Sequence, residues 1–461
     1  MVFCRVQLSF AAFVIFAIIV HTPCAVAADC PLPRTGCDVE YLSAVDDLVT
    51  EYLCERLIPG ATIAIMKDGV VVYERGFGFA DEHLTELMEP DAIMRVASVS
   101  KPITAAAIRV LIDDGQLALN TRAFDLGQPT GGVLAIDPFP TLGDPRLADI
   151  TINNLLGHTG GWDRGIAGDL TYREIIIADA MGVDYPPERE NVMRYILGQP
   201  LEHDPSSEYA YSNIGFLVLG MIVEEVSGMA LIDFIHERVL GPLGVAQGEH
   251  ELGRTFLVDQ NPREPFYHSP SSATNVFDPQ GPSVLLPYGG WDHEARVGQG
   301  GHITTTRTLL AFLDARYISG PLIGLPLPPT QNTGWRRNHT GSLPGTEYLA
   351  RQRSDGIRYA VIFNKRATTS PNYAYGIRLQ IDELFDSDAI DWPTDLIDPC
   401  ANPFDLTGDG VINFFDFSVI LSMMGQECDD CDNCPADFVP DCRINFFDVS
   451  ALLQAYLEAN G

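Results

Sequence analysis

The chain has 461 residues, of which 46% are hydrophobic and 9% aromatic, enough for a large core with something appended and too many for global disorder. Against 62 Asp+Glu stand only 29 Lys+Arg, a formal net charge of -33, which excludes a nucleic-acid binder working through a basic surface and argues against docking on anionic membrane. The lysines are Lys67, Lys101 and Lys365 alone, so a motif that uses a lysine carries extra weight.

Residues 1–27 read as a signal peptide: Arg5, an apolar run from Leu8 to Val20, then Ala25-Val26-Ala27 as a small-residue cleavage pattern. The run is short for a bilayer span, although an uncleaved anchor is the other reading. The chain is therefore expected to be exported, whether periplasmic, cell-surface or secreted. Eight cysteines follow the signal: Cys30, Cys37, Cys54, Cys400, Cys428, Cys431, Cys434 and Cys442. An even count in an exported chain reads as disulfides, and three at one end with five at the other requires a bridge between the ends if all pair. A metal knuckle at Cys428, Cys431 and Cys434 lacks a matching histidine.

Residues 28–387 read as one mixed domain. Val39 to Arg56 has helical periodicity, and two apolar runs flank Asp68-Gly69 as a hairpin. Helices are expected over Ser100 to Asp114, ending at Gly115, and over Ile214 to Val226, ending near Gly228. A second hairpin turns around Ser354-Asp355-Gly356, followed by a helix from Tyr373 to Phe385. Strand pairs at both ends with helices between them imply an antiparallel sheet shared by the two ends, flanked by helices and carrying a helical insert. Residues 388–399 read as an acidic, proline-bearing linker, and residues 400–461 as a small acidic module with eleven acids and one arginine.

Three short motifs carry hydrolytic chemistry. Ser98 and Lys101 stand three apart at a helix start, on one face, where free N–H groups and positive potential favour alkoxide character on the serine. A lysine near cations or away from water can act as a general base. Tyr211-Ser212-Asn213 precedes a long apolar helix; a tyrosine beside cations can shuttle protons, and an asparagine can hydrogen-bond a lysine and a substrate amide, although a helix cap is the plainer role for Ser212 or Asn213. His339-Thr340-Gly341-Ser342 stands before the terminal hairpin, where Gly341 lets a substrate approach an edge strand and the N–H groups of Ser342 and Ser98 can form an oxyanion hole. The other reading of this stretch is an ordinary loop before a strand.

The order S-x-x-K, Y-x-N, H-T-G resembles the serine β-lactamase and penicillin-binding family, above all its class C β-lactamase, D-alanyl-D-alanine carboxypeptidase and family VIII esterase branch. The resemblance runs from about Tyr41 to Phe385 and takes in FGFAD at Phe77–Asp81, LLGHTGGW at Leu155–Trp162 and GQGGHITTT at Gly298–Thr306. It implies an α+β fold, an α/β sandwich, and an enzyme that needs no cofactor. By the same resemblance Ser98 is the nucleophile, Lys101 its activator, Tyr211 the proton shuttle and Asn213 the positioner of lysine and substrate. His339 takes the place often held by lysine. A histidine is mostly neutral at pH 7, so carboxylate recognition should weaken unless Arg336 or Arg337 compensates, which tilts the expected activity towards an esterase or D-amino-acid peptidase. His158, His293 and His302 are expected to be structural. Small ester, peptide and β-lactam substrates stay open, with a β-lactam-binding or assembly protein of little turnover as the alternative.

The tail contains a repeat, DLTGDGVINFFD at Asp405–Asp416 and DFVPDCRINFFD at Asp437–Asp448. In the first copy Asp405, Thr407, Asp409, Asn413 and Asp416 offer side-chain oxygens at EF-hand positions, the Val411 carbonyl serves position 7 and Gly410 the sharp turn. Ending in Asp and lacking a preceding helix, it resembles a dockerin repeat, which implies calcium and a cohesin-like or cell-surface partner. The second copy keeps Asp437, Asp441, Asn445 and Asp448 but has Val439 at position 3 and Cys442 in place of glycine, so weak binding or a disulfide in its stead is expected. The repeated NFFD and the apolar runs after it imply a packed helix pair.

Overall fold

Turns rich in glycine and aspartate set the frame of the central sheet. The computed structural model describes residues 30, 32–328, 336–387, 389–399, 404, 414–426, 436–439 and 442–460. Strands β2 (Gly60–Lys67) and β3 (Val70–Gly78) meet at Asp68 and Gly69, both left-handed at φ 50° and 86°, the pair of conformations that a two-residue hairpin asks for. β4 (Arg336–Leu343) turns into β5 (Thr346–Arg353) through Gly345, and β5 into β6 (Ile357–Phe363) through Gly356, again with left-handed glycines. With the short strand β1 (Arg34–Gly36), the sheet runs β1-β3-β2-β6-β5-β4, antiparallel throughout. The two ends of the domain meet where β6 pairs with β2, from Ile357 opposite Lys67 to Phe363 opposite Ala61. The expected sheet shared by both ends is the observed one.

The inner strands are apolar on both faces because helices cover both. Alternate residues of β2 feed different cores: Ala61, Ile63 and Ile65 pack under α1 (Ser43–Arg56) and α5 (Tyr373–Asp386), whereas Ala64 and Met66 join the core of α2 (Ser100–Asp113), α3 (Asn213–Ser227) and α4 (Thr306–Ala315). One buried polar group on the sheet is an ionic knot under α5. Arg351 and Arg353 of β5 converge on Asp382, with Arg353 Nη1 at 3.1 Å, and the Tyr359 hydroxyl donates to the same carboxylate at 3.0 Å.

Residues 389–399, expected as a linker, lie against this layer. Ile390 is buried, the Trp392 ring meets Tyr41 and Phe385 at 6.1 and 6.0 Å, and Asp398 pairs with Arg307 at 2.7 Å. Apolar residues inside an acidic stretch account for the difference: burying them outweighs the freedom of a tether. Cys30, Cys37, Cys54 and Cys442 are disulfide-bonded; Cys400, Cys428, Cys431 and Cys434 lie outside the described residues.

In the tail, α6 (Phe414–Met423) and α7 (Phe446–Asn460) form a small core from Ile420 and Leu452, with Phe417 against Tyr456 at 5.8 Å. The repeated phenylalanines do not enter it: Phe414, Phe415, Phe446 and Phe447 are 77, 68, 71 and 65% exposed. Of the repeat loops, residues 405–413, Pro440 and Asp441 lie outside the described residues. In the second copy Cys442 is left-handed at φ 64°, as its place at the glycine position requires, and donates its N–H to Asp437 at 2.9 Å. Both carboxylate oxygens of Asp448 accept backbone N–H groups, of Val439 and Asn445, at 2.8 Å each. Asp416, the matching residue of the first copy, is buried as well. Among the described residues no three acidic, histidine or cysteine side chains converge on a cation position.

Asp382→Ala strands the buried Arg351 guanidinium and leaves Arg353 with Asp355 and Asp386, so we expect it to lower unfolding stability by about 3–5 kcal/mol in urea titration; a change under about 1 kcal/mol would mean that the knot contributes nothing.

Candidate active site

Ser98 sits in a 3-10 turn, Ala97–Val99, that runs directly into α2. Ala97 takes φ 48°, a conformation a non-glycine residue adopts at a cost, and the turn leaves Ser98 half-buried at the mouth of a cleft while the residues on either side of it are buried. One helical turn on, Lys101 is wholly buried; its Nζ lies 3.2 Å from Ser98 Oγ and donates to the Gln299 carbonyl at 2.5 Å. The serine and lysine thus share one face, as their spacing predicts. The Tyr211 ring lies beside the ammonium, 5.0 Å from Nζ to its centroid.

Asn213 departs from expectation. It opens α3, where Ser212 caps the helix through Gly215 N–H, and its amide donates to Asp169 at 2.6 Å. The lysine is held instead by Gln299, whose side chain donates to Thr171 Oγ1 at 3.0 Å. Gln299 belongs to the GQGGHITTT segment, but a backbone carbonyl leaves no signature in sequence. Asp169 in turn takes Thr171 N–H and hydroxyl at 3.1 and 2.7 Å, so Asn213, Asp169 and Gln299 form one polar wall.

His339, Gly341 and Ser342 lie on the edge strand β4 rather than in a loop. At Gly341 the strand touches the nucleophile turn: an added Cβ would stand 2.2 Å from the Val96 carbonyl oxygen and 3.2 Å from the Ser98 amide nitrogen. Only glycine permits that approach. His339 Nδ1 lies 3.0 Å from the Ile318 carbonyl and so carries the proton. Burial and the nearby Lys101 charge push its pKa down to about 4, so it is neutral where a lysine would be charged. Arg336 and Arg337 do not compensate: Arg336 pairs with Asp386, and Arg337 donates to Ser319 and covers the Tyr317 ring.

His158 is a positioning residue. Its Nδ1 accepts the Ser212 N–H at 3.1 Å and its ring stacks on Tyr211 at 4.6 Å. Burial, then Lys101 and His339, pull its pKa down to about 3. His302 and His293 are fully buried and held below the ordinary range by desolvation; His302 meets His250 at 3.1 Å, outside the cleft.

The cleft has two lobes that meet at Ser98, Arg164 and Ser342. The larger, about 750 Å³, is lined by Tyr211, His158, His339 and Thr340. The smaller, about 350 Å³, is lined by Asn213, Gln299, Tyr172, Trp291 and Leu343. Such volumes suit a small molecule. A nucleophile with a buried amine on its oxygen, beside backbone N–H groups and a phenol, can carry acyl transfer.

Comparison with known proteins agrees with this geometry. The chain matches the Beta-lactamase family over residues 45–366 and belongs to it. It is 32% identical to esterase EstB of Burkholderia gladioli over 209 residues, 44% of this chain and 49% of that protein, so it spans about half of that relative's length. Its fold is like that of the octameric penicillin-binding protein homologue from Pyrococcus abyssi (TM-score 0.53, 22% identity, 76% of this chain and 78% of that one). It is also like D-amino acid amidase from Ochrobactrum anthropi SV3 (TM-score 0.53, 19% identity, 76% and 98%).

A histidine with a lowered pKa resists protonation when folded but not when unfolded, so its cost appears as pH falls below about 6.5 and grows towards its folded value. His158→Asn keeps an acceptor for Ser212 N–H and removes that titration. We expect its melting temperature, relative to the parent, to rise as pH falls from 6.5 to 4, by scanning fluorimetry; a constant difference would mean His158 is not held neutral.

Proposed function

We propose that this protein is an exported serine hydrolase that works through an acyl-enzyme on ester or amide carbonyls. The observation that carries the reading is Lys101 Nζ, buried and 3.2 Å from Ser98 Oγ, at the junction of two cleft lobes. With Lys101 in its free-amine form, Ser98 Oγ attacks the carbonyl carbon while its proton passes to the Nζ lone pair, giving the ammonium. The N–H groups of Ser98 and Ser342 receive the oxyanion. Tyr211 gives a proton to the departing alcohol or amine as the C–O or C–N bond breaks. Water then attacks the acyl carbon, its proton returns through the same groups, and Ser98 is released. A neutral His339 supports esters and amides over β-lactams, whose carboxylate asks for a cation there. The esterase and D-amino acid amidase among its relatives support the same choice.

Export rests on the charged, apolar and small-residue order of residues 1–27. The tail, residues 400–461, we read as a dockerin-like tether. Its first repeat, from Asp405 to Asp416, carries the calcium, with oxygens from Thr407, Asp409, Val411 and Asn413, and its exposed phenylalanines meet a cohesin-like or cell-surface partner.

Ser98→Ala is expected to reduce hydrolysis of a short-chain 4-nitrophenyl ester by at least ~10³-fold while leaving the melting temperature unchanged. An active variant would remove Ser98 from the mechanism. A parent that turns over no ester, no D-amino acid amide and no cephalosporin would favour a binding protein. For the tail, calorimetry of the full chain should show a calcium affinity on the order of 10⁻⁴–10⁻³ M that Asp405→Ala weakens without changing initial rates; unaltered affinity would end the loop assignment.

A further inference from the structure

We infer that the smaller lobe is an acyl pocket for chains that end in a carboxylate, and that Arg366 is the residue that selects them. The inference rests on the proposed acyl-enzyme reading and deepens it.

The orientation follows from Tyr211. A group that gives a proton to the leaving atom must lie on the leaving side, and Tyr211 lines the larger lobe only. The acyl portion, on the other side of the carbonyl carbon, therefore points into the smaller one. That lobe has an apolar floor: Trp291 and Leu343, both buried, cluster with Ala97, Tyr172 and Leu286. On such a floor a cation is out of place unless it serves a ligand, and Arg366 is there.

Its lack of a partner is unusual in this chain. Acids outnumber bases two to one, and nearly all the described arginines are in ion pairs or hydrogen-bonded. Among the described residues Arg366 has neither an ion pair nor a side-chain hydrogen bond. The acids nearby are occupied. Glu347, which acts on Arg366 through space, accepts Ala367 and Ala374 N–H groups at 3.1 and 2.8 Å; Asp169 is held by Thr171 and Asn213. The Glu347 contact with Ala367 N–H also anchors the backbone directly beside Arg366, while the guanidinium donors stay open. A guanidinium fork on an apolar floor matches a carboxylate at the end of an apolar stem.

The test keeps one leaving group and varies the acyl chain: the 4-nitrophenyl hemiester of suberic acid against 4-nitrophenyl octanoate. The parent should prefer the hemiester. Arg366→Gln should lower its kcat/KM by ~10- to 100-fold and leave octanoate within about threefold. Equal losses on both esters, an unchanged hemiester rate, or the selective loss appearing in Arg164→Gln instead would overturn the assignment. A parent that hydrolyses neither ester defeats the acyl-enzyme reading and not the pocket, which a second readout then decides. Free suberate should raise the melting temperature of the parent more than octanoate does, and Arg366→Gln should abolish the difference; no such difference in the parent would refute the pocket.

Discussion

The pairing of β6 with β2 is the constraint on which the rest depends. Seven residues from near the end of the domain lie opposite seven from near its start. Once they pair, β5 and β4 extend the sheet outward, and β4 reaches the turn that carries Ser98. The contacts that make the cleft are of the same long-range kind: Gly341 against Val96, Lys101 on Gln299, Asn213 on Asp169. Closing so long a loop costs little more entropy than closing a moderate one, because the cost grows with the logarithm of length. The helical insert can therefore be large and differ among relatives without loss of the sheet. The kinetic consequence runs the other way, since contacts this distant in sequence make folding slow.

Much of this architecture is legible in the sequence, because its signals are local. The glycines beside Asp68 and Asp355 mark the hairpins, and the Ser98–Lys101 spacing puts both side chains on one helix face. What the sequence withholds is of another kind. The lysine's second partner is a main-chain carbonyl, which any residue could supply. Arg351, Arg353 and Asp382 look like surface charge until two elements bring them together under α5. Residues 389–399 read as a tether because Pro and Asp dominate, yet Ile390 and Trp392 anchor them. The four NFFD phenylalanines read as core and are exposed, since the helix pair needs only Ile420, Leu452 and their neighbours to close.

The electrostatics of the cleft invert those of the chain. A strongly acidic protein places Lys101, Arg109, Arg164 and Arg366 around one serine, and its histidines there contribute no charge. The second fact follows from the first: burial disfavours the imidazolium, and a lysine a few ångströms away disfavours it further. His158 and His339 thus serve through shape and hydrogen-bond direction. His158 offers an acceptor to Ser212 and a flat face to Tyr211; His339 offers a donor to Ile318.

Replacing a cation by a neutral ring in the H-T-G position moves the cleft's positive charge rather than removing it. With His339 neutral, Arg109 of the large lobe is tied to the carbonyls of Pro321 and Ile323, and Arg164, where the two lobes meet, lies over the Tyr211 ring. The Arg366 guanidinium, without an ion pair or ring beneath it among the described residues, lies in the smaller lobe beside Trp291 and Leu343. Charge selection in this enzyme family need not sit beside the leaving group. On the proposed reading it passes to the half of the substrate that stays on the serine, where a favourable contact persists through the acyl-enzyme and stabilises every state up to the attack of water.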